Sequence, residues 1–430
     1  MKYLIFIFLW LPLAVISQIT ENYYDENQLK FDDYIYRDNI KTVQLYKSGL
    51  EYSIPFITLG SNEKLHLSFD DLNIGTGTYY YSFIPCNSDW SETNLMPMEY
   101  LNGLTEDYFN NYHLSYNTTI QYSHYETELP SNDISFTKSG NYILKVYPDG
   151  EPDQPVITRR FYVIENLVKI DLQNFIASAP QDRNMKQEMF VKIFLNQYPM
   201  PDIYSNLTIK IQQNGRKDNI KTLEKPTQIN SEYINYNHNG DIVFDGGNEF
   251  RKLDIRSFKV QSANISNIKF DTNSYQIDLL NDASRNNKKY INYIDINGKF
   301  GIIDWDDVHL NSSIESDYGM VHFYLPVSKP FADGDVFLLG DFTNWRFDKN
   351  AKLNYNYKSG KYESNILLKQ GYYDYCYIFV PKNSKNGDIS FIEGNFSDTE
   401  NQYTVFVYYK DQSEVYERII GFQSFSTNKK

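Results

Sequence analysis

The side chains that most often carry out chemistry in proteins are present in this chain, but they do not form a known catalytic pattern. The sequence contains no Gly-x-Ser-x-Gly elbow, no phosphate-binding glycine-rich loop and no His-Glu-x-x-His motif. Its six histidines lack the spacing of metal ligands and are His66, His113, His124, His238, His309 and His322. We therefore predict a non-enzymatic protein without catalytic residues, metal or cofactor.

Two groups of carboxylates are candidate sites. The first surrounds Trp305 and consists of Asp304, Asp306 and Asp307. Several carboxylate oxygens suit a calcium ion, but the group lacks the Asp-x-Asp-x-Asp-Gly spacing, so a solvated acidic loop is favoured. The second is Asp70 with Asp71, which follow an apolar alternating run and are interpreted as turn-forming carboxylates rather than as an acid-base pair.

One local pattern is associated with ligand binding: the apolar run from Gly334 that ends in Gly-Asp-Phe-x-Asn-Trp at Trp345. It resembles the strand and corner of the β-sandwich modules of glycogen- and starch-binding proteins, in which the corner tryptophan is a platform for sugar rings. The resemblance implies a lysine where this chain has Cys376, and a second tryptophan that residues 381–390 lack. We therefore predict that Trp345 is buried at a corner, that Trp345 and Cys376 mark a vestigial sugar site, and that carbohydrate is not a ligand.

The N-terminus and the charge indicate the compartment and exclude some partners. Lys2, the apolar run Leu4 to Ile16 and short side chains before the cleavage point predict a signal peptide over residues 1–17. No later segment approaches about 20 uncharged apolar residues, so we expect an exported protein without a membrane span. The formal net charge of -14 argues against nucleic acid as a partner.

Short alternating runs predict an all-β chain that positions these residues. Aromatic residues make up 17% of the sequence, and alternation of polar and apolar side chains is typical of half-buried strands. We predict three tandem immunoglobulin-like or early-set β-sandwich domains after the signal peptide. Their boundaries are 18–165 for the N-terminal domain, 166–303 for the middle domain, 304–317 for a linker, and 318–425 for the C-terminal domain, which is similar to a glycogen-binding module.

Several segments, taken in order, resemble one protein family from about Tyr34 to Gly421. They are Val43 to Gly49, Leu67 to Leu72, Phe136 to Tyr147, Thr158 to Val163, Gly246 to Ser257, Tyr293 to Phe300 and Glu393 to Tyr403. Their order and spacing are similar to those of the plug proteins of the type IX secretion system of Bacteroidetes. One departure is Pro85 before Cys86, where the family often has histidine.

This resemblance implies a periplasmic, non-enzymatic protein that closes the periplasmic opening of the giant outer-membrane translocon barrel when cargo is absent. The implied partner is that barrel, which would hold the chain at the outer membrane. A reversible interface of this kind favours aromatic anchors within a polar rim. The candidate anchors, for which cross-strand packing is the alternative explanation, are Tyr79, Tyr80, Tyr81, Tyr372 and Tyr373.

Two other functions fit parts of the sequence. One is a secreted glycan-binding β-sandwich protein, which requires Trp345 as an exposed platform. The other is an outer-membrane β-barrel, since alternating strands with aromatic residues are also typical of that class. Against the barrel, the candidate strands place lysine, aspartate and asparagine on faces that lipid would touch.

Overall fold

The fold is nearly all β, and the predicted class of all-β sandwich domains is confirmed. It was obtained as a computed structural model that describes residues 28–427 apart from 74, 76, 237–239 and 307–310. The predicted signal peptide over residues 1–17 lies outside the described residues. Within the described part of the chain, no helix is long and apolar enough to cross a bilayer.

Short strands, numbered in chain order, follow one another along the described chain. The first group is β1 (Tyr34–Ile35), β2 (Ile40–Lys47), β3 (Phe56–Thr58), β4 (Leu65–Asp71), β5 (Tyr79–Cys86), β6 (Leu101–Gly103), β7 (Glu106–Tyr108), β8 (Asn111–Leu114), β9 (Ser123–Leu129), β10 (Ile134–Phe136), β11 (Gly140–Pro148) and β12 (Ile157–Ile164). The second group is β13 (Lys169–Ile176), β14 (Lys186–Phe194), β15 (Leu207–Gln213), β16 (Lys221–Leu223), β17 (Gln228–Ile229), β18 (Tyr233–Tyr236), β19 (Val243–Asp245), β20 (Arg251–Asp254), β21 (Ile265–Asp271), β22 (Ser274–Leu279) and β23 (Phe300–Ile302). The third group is β24 (Tyr318–Pro326), β25 (Gly334–Leu339), β26 (Lys352–Asn356), β27 (Lys361–Lys369), β28 (Gly371–Pro381), β29 (Gln402–Tyr409) and β30 (Arg418–Ser426). The helices are α1 (Pro97–Tyr100), α2 (Ile203–Asn206), α3 (Ser312–Glu315) and α4 (Ser390–Glu393), with 3-10 turns at Pro180–Asp182 and Asp341–Thr343.

The first sandwich is built from β1 to β12. One sheet has the strand order β1-β12-β11-β5-β7, with β3 on β12, and the other has the order β2-β4-β9-β8. Alternation explains the inward faces: Leu65, Leu67 and Phe69 of β4 are buried in the shared core, whereas His66 between them faces Glu128 on the outer side. The apolar period of two is thus sufficient to set the register of this strand.

The second and third units share the rest of the chain. The second sandwich packs the sheet β13-β14-β18-β17, with β19 on β14, against the sheet β16-β15-β29-β30. The third unit is one nine-stranded sheet in the order β20-β28-β25-β26-β27-β24-β22-β21, with β23 on β28. Its strands close around a single core, because side chains from β20 and β22 belong to the same apolar cluster.

The strands do not group along the boundaries predicted at 303 and 318. β20 to β23 join the third sheet, and β29 and β30 complete the second sandwich, whereas the sequence predicts each set in the other unit. β29 joins the second sandwich because the edge of β15 would otherwise have unpaired backbone groups. The two strands pair from Leu207 with Tyr409 to Gln213 with Tyr403. Local patterns carry no information about so distant a partner. The division of the chain into separately folding units stays a prediction.

The predicted linker is packed against the first sandwich in its described part. It contains α3 and ends at Asp317, whose carboxylate accepts hydrogen bonds from Thr119 N at 2.8 Å and Thr119 Oγ1 at 2.7 Å. Asp306 accepts from Phe258 N at 2.9 Å and from Gln370 Nε2 at 3.0 Å. Asp307 lies outside the described residues. In the ranges that the structure describes, no group of three or more histidine, cysteine or carboxylate side chains could hold a metal ion.

Candidate functional site

The corner tryptophan lies in the interior, as the sequence predicts. Trp345 is 6% exposed, and its Nε1 donates to Asp341 Oδ1 at 3.2 Å. Its ring meets Phe250 edge to face, with the centroids 6.0 Å apart. Asn344 and Trp345 both have a φ of 55°, which turns the chain sharply after β25. The ring therefore points inward and offers no flat face for a sugar.

Two Asn-Gly turns cover this ring, one from the second sandwich and one before β23. Gly215 and Gly298 have φ values of 75° and 79°, as such turns require. A Cβ at Gly298 would lie 2.3 Å from the Trp345 ring, and one at Gly215 would lie 3.3 Å from its Nε1. Glycine is thus needed for close approach as well as for the turn. We call these residues, Trp345, Phe250, Gly215 and Gly298, the Trp345 junction.

The environment of Cys376 also indicates apolar packing at the corner. It lies in β28 opposite Leu339, is 2% exposed, and burial raises the pKa of its thiol well above the usual range. A lysine here would place a charge in the apolar cluster around Trp345. The vestigial sugar site remains a prediction, but its two residues now have an apolar packing role.

Three of the five tyrosines proposed as interface anchors are buried. Tyr79 donates to Asp71 Oδ2 at 2.8 Å, Tyr81 lies in the first core, and Tyr373 donates to Lys369 O at 2.6 Å. Their exposed fractions are 5%, 1% and 1%, so they cannot contact a partner of the folded chain. This corrects the proposed set, because β5 and β28 each place alternate residues inward.

The other two tyrosines, Tyr80 and Tyr372, lie partly exposed on the outward faces of these strands. Tyr80 packs against Tyr108, with the ring centroids 5.6 Å apart. Tyr372 lies near Arg256, whose guanidinium carbon is 5.6 Å from the ring centroid. These two side chains therefore remain available for an interface.

A buried charged cluster joins the first sandwich to the third unit. Asp70 is fully buried and lies 2.6 Å from Lys369 Nζ through Oδ2 and 2.6 Å from His124 Nδ1 through Oδ1. Tyr318 donates to Asp70 Oδ2 at 2.5 Å. We call these four residues the Asp70 junction. The interpretation of Asp70 and Asp71 as turn residues is wrong, because both end strand β4 in the interior.

The charged forms of Asp70 and His124 are stabilised by their partners in the cluster. Burial alone would raise the pKa of Asp70, but Lys369 and the hydrogen bond from His124 hold it below its usual value. Burial alone would lower the pKa of His124, but the hydrogen bond to Asp70 raises it above the usual value. The other ring nitrogen of His124, Nε2, lies 3.9 Å from a carboxylate oxygen of Glu126, so both sides of the ring face carboxylates. The cluster therefore places opposite charges in contact between the first and third units.

Further contacts connect all three units. Asp32 of the first unit pairs with Lys217 of the second at 2.7 Å and with Arg346 of the third. Between the first and second units, Arg418 pairs with Glu165 at 2.6 Å beside an apolar cluster that β12, β29 and β30 share. Each pair of units is therefore held by at least one buried or half-buried contact.

Comparison with known proteins places this architecture in a family. Residues 40–165 match the family model described as "Type 9 secretion system plug protein 1st domain". The chain belongs to the type IX secretion system plug family. Membership associates it with type IX secretion and with the cell envelope, and this is not a known enzyme family. The matched residues cover β2 to β12 of the first sandwich, including Asp70, His124 and the Tyr79 to Tyr81 run.

A solved structure is similar over nearly the full length of this plug-family chain. It is the crystal structure of a hypothetical protein from Parabacteroides merdae ATCC 43184, with 35% sequence identity and a TM-score of 0.89. The match covers 93% of this chain and 100% of that chain. No curated protein matches the sequence.

Sequence reasoning missed the Asp70 junction. Its residues come from β4, β9, β24 and the end of β27, which are far apart in the chain. One signal was present: Asp70 and Asp71 continue the run that buries Leu67 and Phe69, so the strand could have been extended through them. No local pattern pointed to Lys369 as the partner.

Proposed function

We propose that this plug-family member is a non-enzymatic periplasmic protein that closes the periplasmic opening of the outer-membrane translocon barrel of the type IX secretion system when cargo is absent. The observation that carries the proposal is the family match over residues 40–165. The predicted signal peptide and the net charge of -14 are compatible with this location. The proposed partner is the barrel itself, and neither a nucleic acid nor a membrane span is required.

The junctions between the units support such a role. A protein that closes a pore must keep one arrangement of its units while cargo competes for the opening. Breaking a buried ion pair such as that between Asp70 and Lys369 leaves an uncompensated charge, which costs about 3–5 kcal/mol. The Trp345 junction adds an apolar contact between the second and third units. Such contacts favour a body that docks as one piece.

We propose that the interface centres on the edge around Tyr80. β7 and β8 are each the last strand of one sheet of the first sandwich, and such edges are normally covered or protected by charge. Here β7 and β8 expose apolar side chains, with exposed fractions of 45% for Tyr108, 41% for Tyr112 and 56% for Leu114. Leu104 and Tyr116, which flank the two strands, are 50% and 67% exposed. Aromatic and apolar anchors at a strand edge suit docking to another protein.

A pull-down from native membranes tests this function. The tagged full-length chain is expected to retain a very large outer-membrane barrel protein, identified by mass spectrometry. The double variant Tyr112→Asp with Leu114→Asp is expected to reduce recovery of the barrel at least tenfold. Tyr357→Asp changes a side chain that is 81% exposed in the third unit and serves as the matched control.

Absence of the barrel from the wild-type sample would contradict the proposed function. Equal recovery by the edge variant and the control would contradict only the location of the interface. Circular dichroism of all variants checks that the strands are intact.

A further inference from the structure

A cavity lies between the first sandwich and the corner that follows β25. Its volume is about 380 Å³. One side is formed by residues 34–43, and the other by residues 341–351 and 366–368. Apolar side chains such as Ile40, Phe342 and Leu368 supply much of the lining. The cavity is thus large enough for a small organic molecule.

Arg159 borders this cavity with no described carboxylate at ion-pair distance. It is 6% exposed and lies on β12, on the core-facing side that also carries Ile157 and Phe161. Its one side-chain hydrogen bond in the described structure runs from Nη1 to Thr158 O at 3.1 Å, and no described carboxylate lies within 4.0 Å. Burial lowers the pKa of the guanidinium below its usual value, although the more distant carboxylates of Asp33, Asp341 and Asp32 act to raise it. An unpaired charge at this depth is costly unless something neutralises it.

The nearest carboxylates are already engaged by other cations. Asp33 pairs with Lys217 at 2.7 Å, and Asp341 accepts from Trp345 Nε1 and lies 3.5 Å from Lys299 Nζ. Water could accept hydrogen bonds from Arg159 but could not balance its charge. The arrangement therefore leaves a fixed cation that faces space rather than a partner.

Further cations line the same cavity. Lys41 and Lys349 border it, and neither has an ion pair within the described residues. Lys41 adjoins a β-bulge, where the register of β2 against β4 shifts and Thr42 has a φ of 51°. Bulges redirect side chains and are common beside binding sites. Three carboxylates line the cavity as well, Asp38, Asp341 and Asp348, beside four cations, Arg37, Lys41, Arg159 and Lys349. In a chain with a net charge of -14, this lining therefore has a small excess of positive charge.

We propose that this cavity binds an organic oxyanion, with a phosphate or carboxylate head on Arg159 and a small apolar body against the cavity wall. Arginine presents paired N–H donors that match two oxygens of either head group. Lys41 and Lys349 contribute charge at the rim. The site is independent of the edge proposed for barrel docking, and bound ligand would tie the first unit to the third.

Isothermal titration calorimetry of the full-length chain tests this site with three probes at constant ionic strength. Phenyl phosphate and benzoate carry the two head groups on the same body, and inorganic phosphate supplies the head alone. At least one aromatic probe is expected to bind with saturation and at least tenfold more tightly than inorganic phosphate. The tighter of the two aromatic probes identifies the head group.

Variants decide whether Arg159 is the ligand. Arg159→Met is expected to weaken binding at least tenfold, whereas Arg183→Met, which changes an exposed arginine in the second unit, leaves it unchanged. If Arg159→Met does not fold, the double variant Lys41→Met with Lys349→Met replaces it and is expected to weaken binding at least threefold. No binding of either aromatic probe beyond a chloride control, or equal binding by wild type and the cavity variant, would overturn the proposal.

Discussion

The Trp345 junction and the Asp70 junction hold units together by opposite means. The first buries a large apolar ring under two glycine turns, and the second buries a carboxylate with a lysine, a histidine and a tyrosine. The apolar contact gains free energy from the area removed from water. The charged contact gains little net free energy, but it penalises any arrangement that separates its members. One junction therefore stabilises, and the other mainly specifies how the units fit.

The sharpest test of this difference is Lys369→Met. It leaves Asp70 buried without its cation, and we expect a loss of about 4 kcal/mol in the free energy of unfolding, measured by urea denaturation. Adding Asp70→Asn should recover part of that loss, because the remaining polar group is neutral. Lys352→Met, which breaks an exposed pair with Asp335, should cost less than about 1 kcal/mol. A double variant less stable than Lys369→Met would contradict the role of charge compensation.

The second test is Trp345→Ala, which removes the apolar ring. We expect a loss of about 3 kcal/mol, because a cavity forms under both turns. Gly298→Ala should also destabilise the wild type, since its Cβ would meet the ring at 2.3 Å, and should cost less when Trp345 is already alanine. Additive losses measured by urea denaturation would show that the turn and the ring are not coupled.

The third test measures how stability depends on pH through Asp374, which lies at the edge of the Trp345 junction. Asp374 accepts hydrogen bonds from Ile296 N and Gly298 N, and burial followed by the charge of Asp295 raises the pKa of Asp374 to about 7. A carboxyl group with a raised folded-state pKa destabilises the fold increasingly as pH rises from its unfolded value, about 4, to about 7. Asp374→Asn should remove this fall in stability, on the order of 2 kcal/mol once relaxation and water penetration are allowed for.

The measurement is urea denaturation of wild type and variant between pH 4 and pH 8. Asp335→Asn, an exposed carboxylate, is the control and should leave the pH dependence unchanged. Parallel pH curves for wild type and Asp374→Asn would contradict the raised pKa.

The two junctions also show what a sequence can reveal about this fold. The burial of Trp345 was predictable because the sequence has Cys376 in place of the lysine of a sugar site and lacks the second tryptophan. Asn-Gly pairs such as those at Gly215 and Gly298 are also local turn signals. The all-β class followed from the period-two alternation of strands such as β4. The pairing of β15 with β29 and of Asp70 with Lys369 depends on contacts between residues far apart in the chain, and no local pattern encodes them. The interface tyrosines were only partly predictable, since alternation buries one side of each strand.

The central claim is that this plug-family chain closes the translocon opening, and a conductance measurement tests it directly. The barrel, isolated from native membranes without the chain, is inserted in one orientation into a planar bilayer, and the purified chain is added to the periplasmic side. We predict a saturable loss of conductance on that side alone, and a weaker effect with the Tyr112→Asp and Leu114→Asp double variant. Unchanged conductance while the chain is bound to the barrel would contradict the proposed function.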